Sequence, residues 1–131
     1  QKILPLFNQT ALEVCEGQQL DMDFEKNETV SMDEYLAMIT LKTSVLLAAC
    51  LKLGAILGGA SLGNQDHIYE FGKNLGIAFQ IQDDYLDAFG DPAKFGKQVG
   101  GDILANKKTF LMIHAVETAS DVNKETLRQL L

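Results

Sequence analysis

Three closely spaced aspartates are the residues of this chain best suited to chemistry. Asp83, Asp84 and Asp87 lie in the run FQIQDDYLD, which predicts a helix. Residues four apart share a helix face, so Asp83 and Asp87 stack and Asp84 lies beside them. Carboxylate oxygens without His or Cys suit Mg²⁺, Mn²⁺ or Ca²⁺ rather than Zn²⁺. A bound cation would relieve the repulsion within this cluster, and a solvated acidic helix face is the alternative.

Helices are predicted throughout, so the fold class is all-α. Ser31 and Glu34 form a capping box, a signature of a helix start. No alternating apolar pattern of useful length predicts a strand. Residues 21–30 are interpreted as a connection and residues 90–102 as a Gly-rich loop. The predicted helices cover residues 4–16, 31–57, 64–89 and 107 to about 118.

Lys42 lies in the middle of an apolar helix face. The apolar residues within about 60° of it on a helical projection are Tyr35, Met38, Ile39, Val45, Leu46 and Ala49. A buried ammonium needs an anionic partner. Either Lys42 pairs with a buried carboxylate, or it faces a cavity that receives phosphate oxygens. In the second case Thr43 lies at the cavity edge and donates a hydroxyl bond to the same group.

The segment from Gly76 to Leu111, GIAFQIQDDYLDAFGDPAKFGKQVGGDILANKKTFL, closely resembles the second aspartate-rich region of trans-isoprenyl diphosphate synthases (polyprenyl synthetases). Upstream, Gly17-Gln18-x-x-Asp21 and Lys42-Thr43 follow in the order of that family. The resemblance runs from about Leu12 to Leu111. It implies part of the isoprenoid synthase helical bundle.

The resemblance also implies an activity. Members of this family condense an allylic diphosphate with isopentenyl diphosphate, and Mg²⁺ (Mn²⁺ is possible) helps the allylic diphosphate to ionise. It places the metal ligands at Asp83, Asp84 and Asp87, and the catalytic residues at Lys42, Asp83 and Lys97. A cytoplasmic homodimer is the expected assembly.

The same resemblance gives a set of substrate-binding residues: Gln18, Asp21, Lys42, Thr43, Phe79, Gln80, Lys97 and Lys107. Lys108 competes with Lys107 for one of these positions, because the spacing from Lys97 is one residue longer than in some relatives. From the residues alone, Lys97 is a solvated lysine on a Gly-rich loop, and Gln18 and Asp21 belong to an ordinary helix end. Asp102 is expected to cap a helix or hold the loop.

Composition excludes some classes of partner. The net charge is −7 and the single arginine is Arg128, which argues against nucleic acid. Cys15 and Cys50 are predicted to be buried free thiols of an intracellular protein. The apolar run Val45–Gly63 approaches the length of a membrane span, but Lys52 near its centre and its glycines favour a core helix that breaks at Gly58-Gly59.

The first aspartate-rich motif of the family does not occur before Asp83. We therefore interpret residues 1–131 as a single partial isoprenoid synthase domain that lacks the first aspartate-rich half and the extreme C-terminus. Such a fragment would be inactive alone, because it supplies one wall of a two-sided site. Two alternatives are a non-catalytic homologue that acts as a binding or regulatory subunit, and an unrelated helical cation-binding module.

Overall fold

The structure, a computed structural model, describes residues 3–96 and 99–130. All regular structure in these residues is helical and none of them forms a strand, so the predicted all-α class is confirmed. The elements in chain order are α1 (Ile3–Phe24), α2 (Met32–Ile39), a π-helical turn (Thr40–Ser44), α3 (Val45–Leu57), α4 (Leu62–Phe89), α5 (Pro92–Phe95), α6 (Gly101–Leu104), α7 (Phe110–Thr118) and α8 (Asp121–Leu130).

Helix α4 has 28 residues and bears the aspartates. It begins at Leu62, two residues earlier than predicted, after the N-cap Ser61, whose hydroxyl accepts from the Asn64 amide at 3.3 Å. Two buried glycines, Gly72 and Gly76, let α4 approach α3 and the π-helical turn at backbone distance. This close approach fixes where α4 presents its acidic end.

Residues 32–57 follow one helical path through α2, the π-helical turn and α3. The predicted capping box is present, since Glu34 Oε2 accepts from the Ser31 amide at 2.8 Å and Ser31 Oγ accepts from the Glu34 amide at 3.3 Å. The π-helical turn adds one residue to the helix and changes the phase of everything after it. Val45 and Ala49, predicted on the face of Lys42, are buried, whereas Leu46, predicted on the same face, is 52% exposed.

By length and composition, the path from Met32 to Leu57 is also the one helix among residues 3–96 and 99–130 that passes the test for a membrane span. Core helices and signal sequences pass the same test, so one such helix is weak evidence. Its predicted assignment as a core helix stays a prediction. The predicted break is confirmed, because α3 ends at Leu57 and Gly59 has a φ of 74°.

The core lies where α2, the end of α1 and α7 meet the middle of α4. Its buried members are Phe24, Val30, Tyr35, Met38, Ile39 and Ile113, with Ile77, Ile81 and Phe110 packed against them. On α4, Ile77 and Ile81 face this core, whereas Tyr85 and Phe89 are exposed. The core therefore covers only part of the apolar surface of α4.

Three predicted boundaries are wrong. Helix α1 continues to Phe24, since Leu20 and Phe24 pack on the core and hold the polar residues between them in the helix. The predicted loop contains the short helices α5 and α6. Helix α7 starts at Phe110 rather than near Lys107, because Thr109 is its N-cap and accepts from the Met112 amide at 3.4 Å.

The predicted burial of the two cysteines is wrong, whereas their predicted state as free thiols agrees with the structure. Cys15 and Cys50 are both exposed free thiols. Apolar neighbours in sequence made both look buried, yet each lies on a helix side that no other described helix covers. Burial of a helical residue depends on which face is packed, and composition around it does not give that face.

Candidate active site

A charged pocket of about 220 Å³ lies between α1, α2, α4 and the connection before α7. We call it the acidic pocket. Its charged lining consists of four carboxylates and three ammonium groups: Asp21, Asp83, Asp84, Asp102, Lys42, Lys107 and Lys108. The other lining residues are Tyr35, Met38, Ile39, Gln80 and Thr109. Residues from four separate stretches of sequence thus form one site.

Lys42 and Asp21 form an ion pair at one side of this pocket. Lys42 Nζ donates to Asp21 Oδ2 at 2.6 Å, and Lys107 Nζ lies 3.7 Å from the same oxygen. The Asp21 side chain is 14% exposed and that of Lys42 is 31% exposed. Both interpretations of Lys42 from the sequence therefore hold in part, because it has a carboxylate partner and also faces a cavity.

Close packing places Lys42 there. A Cβ on Gly17 of α1 would lie 2.7 Å from the backbone of Leu41 and Lys42, and a Cβ on Gly76 would lie 2.5 Å from Ser44 Cα. Real Cβ atoms do not approach backbone so closely, so only glycine fits at either position. The π-helical turn is consequently held between α1 and α4 at backbone contact, with Lys42 on the pocket side.

A chain of hydrogen bonds joins the π-helical turn to the aspartates. Thr43 Oγ1 donates to Gln80 Oε1 at 3.2 Å, and Gln80 Nε2 donates to Asp84 Oδ1 at 3.1 Å. Thr43 is not part of the pocket lining, and it contacts the site through Gln80. The predicted pair Thr43 and Gln80 thus lies at the pocket edge, with both side-chain polar groups engaged.

Asp84 is the buried aspartate of the three, with 5% of its surface exposed. Its Oδ2 accepts from the Tyr35 hydroxyl at 2.6 Å and from the Phe110 amide at 3.1 Å. Burial, the hydrogen bond to Asp84 and the charge of Asp84 together raise the pKa of the Tyr35 phenol above its usual value. Tyr35 is therefore a neutral donor at physiological pH.

Asp87 lies outside the pocket lining and holds the turn before α6. Its Oδ2 accepts from the Asp102 amide at 3.0 Å, and its backbone oxygen accepts from the Gly100 amide at 2.7 Å. Gly100 has a φ of 77°, which suits glycine. This pair of bonds brings Asp102, fifteen residues along the chain, next to the aspartates of α4.

Asp102 adds a carboxyl that the sequence analysis did not assign to the site. Partial burial raises its pKa, and the charges of Asp87, Asp84 and Asp83 raise it further while Lys107 lowers it. The neighbouring carboxylates thus add to the effect of burial in disfavouring a negative charge on Asp102. Such an arrangement favours a cation or proton in their midst.

Several predicted residues are not brought into the acidic pocket. Gln18 is exposed on α1 and does not contribute to the lining. Phe79 is 60% exposed and lines an apolar groove on another side of α4, together with Leu75, Ile81, Tyr85 and Phe110. Lys97, predicted as a catalytic and substrate-binding residue, lies outside the described residues.

The donor set fits Mg²⁺, the metal that the resemblance implies. The pocket offers hard carboxylate oxygens without His or Cys, and the raised pKa of Asp102 reports their mutual repulsion. Within residues 3–96 and 99–130, no three acidic, His or Cys side chains converge into a ready-made metal site. Mg²⁺ does not require one, because it is commonly bound by one or two carboxylates together with waters and substrate phosphates.

Sequence reasoning missed Tyr35, Asp102 and the Phe110 amide as members of the site. Tyr35 was interpreted only as part of an apolar face, although a buried phenol needs a partner for its hydroxyl. That requirement was the available signal for Tyr35. No local pattern signals that a loop amide or a helix N-terminus will meet a particular aspartate.

Comparison with known proteins agrees with this arrangement. The family model described as polyprenyl synthetase matches residues 1–131. The chain is 42% identical over 130 residues to a short chain isoprenyl diphosphate synthase of Methanocaldococcus jannaschii, covering 99% of this chain and 39% of that protein. It is 45% identical over 116 residues to a geranylgeranyl diphosphate synthase of Methanosarcina mazei, covering 88% of this chain and 36% of that protein.

Among solved structures, a geranylgeranyl pyrophosphate synthase superposes with a TM-score of 0.92 at 53% identity, over 98% of this chain and 39% of that one. The chain thus spans well under half the length of the relatives it matches. The match includes every residue of the acidic pocket, because it extends over all 131 positions. The chain therefore belongs to the polyprenyl synthetase family.

Proposed function

We propose that this chain forms one wall of the active site of a prenyltransferase that condenses an allylic diphosphate with isopentenyl diphosphate. The acidic pocket is the observation that carries the proposal, since its carboxylates and lysines meet in one small cavity. Relatives named as isoprenyl and geranylgeranyl diphosphate synthases support the reaction class.

The lysines are the groups suited to the diphosphate. Lys42 and Lys107 both contact Asp21 Oδ2, so an incoming phosphate oxygen replaces that carboxylate without moving either lysine far. Each ammonium then acts as a point charge that stabilises the negative charge developing on the leaving group. Asp21 keeps both lysines in place before substrate binds. Lys97 remains a predicted third cation for the same group.

The aspartates are the groups suited to the metal. We propose that Mg²⁺, with Mn²⁺ as a possible substitute, is held by Asp83 facing the pocket and by Asp87 one turn further on. When bound, the metal supplies Lewis-acid stabilisation of the diphosphate as it leaves. Asp102, held by Asp87, adds negative charge that strengthens attraction for the cation.

Other substrate contacts stay predictions. Thr43 and Gln80 offer polar groups at the pocket edge, and Gln18 lies nearby on α1 without lining the pocket. The apolar groove that Phe79 lines is suited to hydrocarbon. A homodimer in the cytoplasm and the absence of a membrane-spanning segment are likewise proposals that follow from the family resemblance.

The direct test is turnover of labelled isopentenyl diphosphate with an allylic primer and Mg²⁺. The complete translated protein that carries these residues should form prenyl diphosphate products, and Asp83→Asn should abolish most of that activity. The 131-residue chain alone should bind inorganic diphosphate with Mg²⁺ but should not elongate a primer. Binding without turnover in the complete protein would instead favour the non-catalytic homologue, and elongation by the chain alone would overturn the one-wall proposal.

A further inference from the structure

Asp84 is the one buried aspartate of the motif, and both of its carboxylate oxygens accept hydrogen bonds. Oδ2 accepts from the Tyr35 hydroxyl and the Phe110 amide, and Oδ1 accepts from Gln80 Nε2. The residue is 5% exposed. A buried carboxylate that accepts three hydrogen bonds from the protein has both oxygens engaged without any metal.

The donors come from distant parts of the chain. Tyr35 is 49 residues away on α2, and Phe110 is 26 residues away at the first turn of α7. Phe110 is the first residue of α7, and a helix N-terminus favours a negative charge near its free amides. Tyr35 is itself 2% exposed and packs against the Phe110 ring at a centroid distance of 6.4 Å.

These bonds fix the rotation of α4 about its own axis. Adjacent residues on a helix point about 100° apart, so turning Asp84 inward sets the direction of Asp83 toward the pocket. The same rotation sets the direction of Asp87, whose Oδ2 holds the Asp102 amide. A loosened Asp84 would therefore misplace both neighbours.

We propose that Asp84 is a positioning residue rather than a metal ligand, anchored by the Tyr35 hydroxyl and the Phe110 amide, and that Tyr35 thereby sets the affinity of the site for a metal–diphosphate complex. This rests on the proposed function for the ligand, while the anchor itself rests on the contacts above.

The test uses the complete translated protein and isothermal titration of inorganic diphosphate at a fixed excess of Mg²⁺. Tyr35→Phe keeps the ring and removes the hydroxyl, and it should weaken diphosphate binding about tenfold, as is usual when a partner of a ligand-holding group is lost. Tyr69→Phe removes a hydroxyl elsewhere on α4, next to Lys52. It should leave binding unchanged. Phe24→Leu, a core change outside the pocket lining, controls for lost stability.

A second pair of variants separates an anchor from a ligand. If Tyr35 acts through Asp84, then Tyr35→Phe combined with Asp84→Asn should weaken binding no more than Asp84→Asn alone. Losses that multiply would mean that Asp84 binds metal independently of Tyr35, and that would overturn the proposal. Unchanged binding in Tyr35→Phe would overturn it too.

A third measurement needs no ligand. Amide hydrogen exchange at Phe110 should be faster in Asp84→Asn than in the wild type, relative to the other amides of α7. Equal protection would sink the anchor whether or not the protein binds diphosphate. A different result would separate the two proposals. If Asp84→Asn speeds exchange at Phe110 but the wild-type protein binds no diphosphate, the proposed function is contradicted and the anchoring role of Asp84 is retained.

Discussion

Lys42 Nζ donates to Asp21 Oδ2 at 2.6 Å across the gap between the π-helical turn and α1. The pair joins two residues 21 positions apart, and the Asp21 carboxylate also lies 3.7 Å from Lys107 Nζ. One carboxylate thus contacts two lysines, and its single negative charge balances only one of their two positive charges. In the proposed reaction, the Asp21 carboxylate would occupy the position next to the two lysines until the phosphate oxygens of the substrate replace it.

Replacing Lys42 with Met should lower the free energy of unfolding by about 1–2 kcal/mol. Asp21 loses its closest partner, but Lys107 remains and Lys42 is about a third exposed, so the cost lies below that of a fully buried pair. Urea denaturation of the chain measures it.

Lys52→Met is the matched control for that change. It breaks an ion pair of similar length, 2.7 Å to Asp66, whose side chain is 69% exposed. Its cost should be below about 1 kcal/mol. A Lys42 variant as stable as the wild type would mean that the pair with Asp21 has no structural role.

Replacing Gly76 with Ala should destabilise the chain by at least about 2 kcal/mol, because the new Cβ meets the Ser44 backbone at 2.5 Å and overpacks the contact. Gly63→Ala, in the same helix, is the control. A Cβ there has nothing within 4 Å, so alanine should stabilise α4 by up to about 1 kcal/mol. Thermal melts of the two variants should shift in opposite directions, and equal shifts would contradict the close approach.

Replacing Asp102 with Asn should make metal-free protein more stable near neutral pH. Burial and then Asp87 hold the pKa of Asp102 above its usual value of 3.8, so the folded state binds this proton more tightly than the unfolded state. The contribution of the group is therefore fully present below pH 3.8 and is lost as the pH rises through the raised pKa.

The check on Asp102 is the free energy of unfolding as a function of pH, measured with a chelator present. The difference in free energy of unfolding between the Asn variant and the wild type should grow in favour of the variant as the pH rises above 3.8, the usual pKa of an aspartate, and should then level off. Asp33→Asn, at an exposed position of α2, should show no such trend. A difference that does not depend on pH would contradict the role of repulsion among the carboxylates.

Both thiols of the native chain should react with a disulfide reagent at the rate of a small-molecule thiol. Cys15 and Cys50 are exposed, so no unfolding step has to precede the reaction. Counting the released thiolate by absorbance, with and without denaturant, measures this. If fewer than two thiols react without denaturant, the result would contradict their exposure and support the burial that the sequence predicts.

The sequence by itself determined the fold class and the family of the protein. The spacing of Asp83, Asp84 and Asp87, the capping box at Ser31 and the break at Gly58-Gly59 are local signals, and local signals depend on only a few neighbouring residues. The family resemblance, confirmed over residues 1–131, was carried by the same kind of pattern. The place of Lys42 on a pocket-facing side followed from helical periodicity, as did the burial of Val45 and Ala49, whereas Leu46 on the same predicted face is exposed.

Only the tertiary structure decided which partner each of these residues meets. The π-helical turn lies in backbone contact with α1 at Gly17 and with α4 at Gly76, and no periodicity encodes these contacts. Asp84 points inward and accepts hydrogen bonds from the Tyr35 hydroxyl and the Phe110 amide, which belong to distant parts of the sequence. Asp102 lies in the site because its amide donates to the Asp87 carboxylate. Contacts between residues far apart in sequence depend on how helices pack, so the division of roles among three adjacent aspartates could not be predicted from their spacing.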